Sequence, residues 1–120
     1  MILLDTNIIL IPAQFKVDVF EELKKYDKLC ILSQSIGELE RLSAGKGKKA
    51  REARVGLELI RIKKSNIIEY SGQNTDKTIL NYAIEHKCKV ATNDKKLIKL
   101  LKDNNIIVFR LRQRKYFVEE

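Results

Sequence analysis

MILLDTNIIL, residues 1–10, decides the architecture. Met1–Leu4 is a short apolar run without alternation, as a strand buried on both faces of a parallel sheet requires. Asp5 ends that run with a charge. Working outward, QNTDKTI (73–79) and KVATNDKKL (89–97) also set an acid, Asp76 and Asp94, at the edge of an element. Asp5 and Asp94 each close a strand-like run, and Asp76 opens a helix. In an open α/β sheet the carboxyl ends of the strands form one rim, and sites are built there. Acids gathered on that rim from distant parts of the chain repel one another unless a cation sits between them. The pattern therefore points to a divalent metal site.

The rest of the chain supplies the frame. Pro12 follows a loop or short helical turn, and Val17, Phe20 and Leu23 give helical spacing through Tyr26. Lys28–Leu32 reads as a second strand, and Ser33 as the N-cap of a helix with Ile36, Leu39 and Leu42 on one face. Gly45 and Gly47 interrupt the pattern before a helix over Lys48–Lys63. That helix has a main apolar stripe (Ala50, Ala53, Leu57, Ile60) and a second one (Val55, Leu59, Ile62) on nearly the opposite side. A helix apolar on two sides is sandwiched in a fold or shared with a partner subunit, and the small size favours sharing, hence a homodimer. Asn66–Tyr70, Lys89–Thr92 and Ile106–Phe109 read as further strands. Helices over Thr75–Lys87 (Ile79, Leu80, Ala83, Ile84 inward) and Lys95–Asp103 (Leu97, Ile98, Leu101 inward) separate them. Strands alternating with helices predict an α/β fold with crossover connections and a central, mostly parallel sheet of about five strands. The expectation is one domain over residues 1–120, with 110–120 as a basic C-terminal tail.

Bulk properties narrow the function. At 44% hydrophobic and 33% charged residues, the 120-residue chain has the composition of a soluble globular domain. No apolar run reaches membrane-spanning length and the start lacks a secretory pattern, so a cytoplasmic protein with no membrane partner is expected. Cys30 and Cys88 have no CxxC partner and read as buried small hydrophobes, and His86 is the lone histidine. Zinc sites and histidine-based triads are thereby disfavoured. The net charge of +8 is concentrated. Arg41, Lys46, Lys48, Lys49, Arg51 and Arg54 fall in one stretch, and Arg110, Arg112, Arg114 and Lys115 close the chain beside Tyr116 and Phe117. Such clusters suit a polyanion whose phosphates release counterions on contact.

Each acid also has a local explanation. Asp94 and Asn93 are good N-caps, Asp76 sits favourably at a helix start, and Asp5 can begin a turn. Their recurrence at equivalent topological positions favours convergence. Hard oxygen ligands of this kind suit Mg²⁺ or Mn²⁺. A further acid from the helix after Ser33 is Glu38 or Glu40. The two lie about equally far from the centre of the Ile36/Leu39/Leu42 stripe, and periodicity does not choose between them.

The ordered set of motifs resembles the PIN-domain ribonucleases across essentially the whole chain. MILLDTNIIL is similar to their opening, SIGELERL to the second acidic motif, NTDKTILNYA to the third and KVATNDKKL to the fourth. The resemblance implies a three-layer α/β/α domain whose metal-binding, catalytic acids are Asp5, Glu38, Asp76 and Asp94. Thr6, Asn7, Thr92 and Asn93 match the polar positions that orient those carboxylates. It further implies an endonuclease that uses Mg²⁺ or Mn²⁺ to hydrolyse single-stranded RNA, leaving 5′-phosphate and 3′-hydroxyl ends. IPAQFKVDVFEEL and LSAGKGKKAREARVGLELI look most like archaeal PIN proteins related to eukaryotic endonucleases that process small-subunit ribosomal RNA. That suggests a ribosomal RNA precursor as substrate and pre-ribosomal proteins as partners. VapC-type toxins share the same acids, and a non-catalytic PIN-like scaffold in ribosome assembly is the remaining alternative.

Overall fold

The computed structural model describes every residue of the chain except Ser71, Gln73 and Asn74, together with the side chains of all the others but Thr75 and Asp76. In chain order the elements are β1 (Ile2–Leu4), α1 (Thr6–Phe15), α2 (Val19–Lys24), β2 (Leu29–Leu32), α3 (Ser33–Ser43), α4 (Lys48–Ile62), β3 (Asn66–Ile68), α5 (Thr75–His86), β4 (Lys89–Ala91), α6 (Lys95–Asp103), β5 (Val108–Arg112) and β6 (Tyr116–Glu119). The sheet runs β3-β2-β1-β4-β5-β6, with every pairing parallel except β5 with β6.

The period-2 geometry of a strand sends neighbouring side chains to opposite faces. On β1, Ile2 and Leu4 join the core under α1–α4, while Leu3 joins the core under α5 and α6. That makes three layers. Helices after β1 and β2 cover one face and those after β3 and β4 the other, so the chain switches face between the adjacent strands β1 and β4. A crevice must open at the carboxyl end of that pair.

Two local features set the walls of the crevice. Helix α1 begins directly after β1, with Asp5 as its N-cap, and continues through Pro12, where a loop or short turn was expected. Burial of Ile8, Ile9, Leu10 and Ile11 outweighs the hydrogen bond that the proline removes. On α4, Gly56 allows close approach to α1: a Cβ there would stand 2.7 Å from Ile9 Cγ2 and 2.8 Å from the Ile9 carbonyl oxygen. The main stripe of α4 faces this contact, whereas Val55 and Ile62 of the second stripe are exposed.

Some expected boundaries shift. Ser33 is the first residue of α3, not its cap; its hydroxyl instead exchanges hydrogen bonds with the Tyr70 backbone, pinning the chain beyond β3 to the end of β2. On α5, Ile79, Tyr82 and Ala83 are buried and Ile84 is exposed, a rotation from the expected stripe. The expected basic tail is folded back as β6, which makes the sheet one strand wider than anticipated. No helix among the described residues is long and apolar enough to cross a membrane.

Candidate active site

The crevice predicted by the switch between β1 and β4 is a cleft of about 620 Å³, lined by Asp5, Thr6, Asn7, Leu10, Glu38, Leu42, Lys49, Lys77, Asp94, Lys96 and Leu100. Three of the expected acids, Asp5, Glu38 and Asp94, therefore share one cavity although they come from separate elements. Glu38 is half-buried and lines the cleft, while Glu40 is exposed and does not.

Asp5 is the most enclosed, at 4% exposure. Its Oδ1 accepts the Thr6 backbone N–H at 2.8 Å, and its Oδ2 accepts the Thr92 hydroxyl at 2.6 Å and the Asn7 amide at 2.9 Å. The Thr92 oxygen in turn accepts the Asp94 backbone N–H at 3.1 Å. One hydroxyl thus couples the end of β1 to the end of β4. The Asn93 backbone N–H donates to Asn7 Oδ1 at 3.2 Å, and Asn93 Oδ1 accepts the Leu111 N–H at 2.9 Å, which ties the loop to β5. All four polar residues expected to orient the acids thus flank Asp5 and Asp94. Asp94 caps α6 through Oδ1, which accepts the N–H groups of Lys96 and Leu97 at 2.9 and 3.2 Å. Capping uses that oxygen and leaves Oδ2 available to the cleft. The cap and functional readings of Asp94 are compatible.

Carboxylate and hydroxyl oxygens without sulfur or imidazole suit a hard divalent cation. The buried Thr6 hydroxyl, which has no hydrogen-bond partner among the described residues, adds an unused polar group beside Asp5. Among the described residues no three acidic, histidine or cysteine side chains are gathered tightly enough to hold an ion. The remaining expected acid, Asp76, is in the first turn of α5, next to the cleft-lining Lys77, and its side chain lies outside the described residues. The buried Cys30 and Cys88 play no part: burial pushes the Cys30 thiol up to about 12 and raises Cys88 as well, so both stay protonated.

The basic residues divide. Lys49 lines the cleft, and Arg41, Lys46, Lys48 and Arg51 are exposed on or between α3 and α4. Arg54 instead donates to the Ser43 carbonyl at 2.7 Å, joining the two helices. In the second cluster, Arg110 Nε lies 3.5 Å from Glu120 Oε1 in a charge contact without a hydrogen bond. Arg114 sits over the Phe15 ring at 5.2 Å, and Phe117 is buried in the core. Arg112, Lys115 and Tyr116 are exposed.

Sequence reasoning missed Lys77 and Lys96, which the cleft adds to Lys49. The signal was present. Lys77 and Lys96 each stand in the first turn of a helix, one and two residues after an expected acid, which places them at the same end of the sheet as the cleft.

Fold and site together define a three-layer α/β protein with an acidic cleft at its switch point and lysines around it. The family model described as PIN like domain matches residues 2–114. Ribonuclease VapC4 of Methanocaldococcus jannaschii is 38% identical over 119 residues, covering 94% of this chain and 91% of that protein. The chain belongs to the PIN-like domain family. Among solved structures, the PIN domain endonuclease Utp24 superposes with a TM-score of 0.81 at 27% identity, over 99% of this chain and 90% of the other. VapBC2 from Rickettsia felis, bound to a DNA fragment from its promoter, gives a TM-score of 0.67 at 23% identity, covering 92% and 98%. At that identity the second likeness speaks for the fold alone.

Proposed function

We propose that this protein is a metal-dependent endoribonuclease that hydrolyses phosphodiester bonds in single-stranded RNA, acting on a ribosomal RNA precursor in the cytoplasm. The observation that carries this reading is the convergence of Asp5, Glu38 and Asp94 in one cleft rimmed by Lys49, Lys77 and Lys96. Acids alone would repel an RNA backbone; acids ringed by lysines accept it by its phosphates. Asp5, Glu38 and Asp94, with Asp76, would hold Mg²⁺ or Mn²⁺. When bound, such a cation supplies the Lewis acidity that activates water and stabilises the departing 3′-oxygen. The chain's own residues do the rest. Thr92 and Asn7 fix the Asp5 carboxylate by hydrogen bonds, and the lysines hold phosphate oxygens in register.

The full-length likeness to Utp24 supports the processing role, with pre-ribosomal proteins as partners. The 38% identity to VapC4 supports a second reading, a toxin ribonuclease held by an antitoxin. The exposed Val55 and Ile62 on α4 favour a homodimer in either case. The test is cleavage of end-labelled single-stranded RNA with Mg²⁺ or Mn²⁺, beside EDTA and the Asp94→Asn protein. Cutting that EDTA and the substitution both remove supports the nuclease. Bound but uncut RNA under every metal condition supports the scaffold.

A further inference from the structure

A second hollow of about 310 Å³ adjoins the cleft and shares Lys49 with it. Gln14 and Phe15 at the end of α1 line it, with Lys48, Lys49 and Glu52 at the start of α4. Glu52 is unusual for a carboxylate in being only 6% exposed. Its Oε1 accepts the Gln14 amide at 3.2 Å, while its Oε2 is buried with no hydrogen-bond partner among the described residues. An acceptor left in that state destabilises the fold by the hydration it has lost. Nothing in the packing of α1 on α4 requires a carboxylate here. A ligand that donates hydrogen bonds would.

We infer that this hollow is a base-reading pocket for guanine, next to the scissile phosphate. The inference rests on the ribonuclease reading above and names part of its specificity. A carboxylate only accepts hydrogen bonds. Guanine alone among the RNA bases presents two adjacent donors, N1–H and the N2 amino group, which match Glu52 Oε2 and the lone pair left on Oε1. Adenine and cytosine would each place a ring nitrogen acceptor against one carboxylate oxygen, and uracil would place a carbonyl there. Phe15, with the Arg114 guanidinium 5.2 Å from its ring centroid, gives the base an aromatic and cationic wall. Lys48 and Lys49 at the rim attract the attached phosphates. The same cations repel the other natural bidentate donor, an arginine side chain of a protein partner. Oε2 is buried in the free protein, so a planar base reaches it only when side chains of the hollow shift; Lys48 and Lys49 in its lining are long and exposed.

The test is direct binding, which needs no turnover. GMP, AMP, CMP and UMP are titrated into metal-free protein and followed by amide chemical shifts, in parallel with Glu52→Gln. The expected result is GMP binding about tenfold tighter than the others, shifts centred on Phe15 and Glu52, and loss of the preference in Glu52→Gln. An amide has an N–H where the carboxylate has an acceptor, so Glu52→Gln keeps the shape and removes the match. Equal binding of the four nucleotides, or a GMP preference that survives Glu52→Gln, overturns the pocket. A GMP preference in a protein that never cuts RNA would sink the nuclease reading and keep the pocket. Cutting without base preference would do the reverse. Shifts induced by an arginine-containing peptide but by no nucleotide would assign the hollow to a protein partner and likewise overturn the inference.

Discussion

The two ends of the parallel sheet each hold a well-bonded aspartate, and they hold it differently. At the amino end, Asp27 accepts from the Met1 ammonium and, at 3.2 Å, from Lys89. Those cations and the Lys28 backbone N–H keep its carboxyl far below the usual carboxylate range. At the carboxyl end, the donors described for Asp5 are neutral: a backbone N–H, a threonine hydroxyl and an asparagine amide. One end has its charge neutralised by the chain itself. At the other the described donors orient the charge by their dipoles, and lysines are set around the cleft. Neutralisation locks strand ends together; orientation prepares a carboxylate for a cation.

The largest expected effect separates the acids of the rim from each other. Asp5→Asn and Asp94→Asn should both lose metal-dependent RNA cleavage, and their thermal stabilities should differ. Repulsion between acids alone argues that removing either charge stabilises the protein. The donors on Asp5 reverse that sign, and Asp5→Asn should cost about 1–3 kcal/mol, because hydrogen bonds to a charged acceptor are lost. Asparagine caps a helix as well as aspartate does, so Asp94→Asn should stay near the parent stability. Thr92→Val tests the hydroxyl between the two, with activity expected to fall about 10–100-fold while the fold survives. Parent-like cleavage in Asp5→Asn or Asp94→Asn would remove the site assignment. Parent-like cleavage in Thr92→Val would reduce the bridge to packing.

What the sequence could and could not show follows the same division. The first five strands, the parallel crossover pattern and the positions of Asp5 and Asp94 were legible because buried runs and caps are local patterns; the order of the strands and the rotation of α5 are set by tertiary packing and were not. Glu38 over Glu40 was not legible from spacing, since it depends on where α3 lies against α1 and α4. Strand β6 was missed because its turn has no glycine: Gln113 and Arg114 both take positive φ, 52° and 56°, where Asn-Gly would have announced a hairpin. Arginines read as a tail for RNA are therefore partly structural. The continuous helix through Pro12 was missed because tertiary burial overrode a local breaker.

A middle-sized effect distinguishes the two basic clusters. Lys49→Ala and Lys96→Ala should each raise the RNA dissociation constant and lower the slope of log K against log salt by about one. Arg110→Ala, which removes a contact to Glu120, should leave that slope unchanged. Titrations of labelled RNA across salt concentrations give both numbers. An Arg110 variant with a reduced slope would return the β5–β6 hairpin to the RNA interface.

The smallest effect belongs to the amino end and depends on pH. Asp27 has a folded pKa below its unfolded value, so its contribution to stability is full above the unfolded value near 3.8. It is lost as pH falls from there towards the folded value. Asp27→Asn should therefore melt below the parent at pH 7, and the gap should narrow as pH drops below about 4. The pair is partly exposed and screened, so salt should also shrink the gap. The comparison with the rim fixes what the result means. RNA cleavage by Asp27→Asn should match the parent under conditions where both are folded, because the ion pair stands at the opposite end of the strands from the cleft. A drop in cleavage without a drop in stability would show that the two ends of the sheet are coupled, and that the charge at the amino end does more than lock strands.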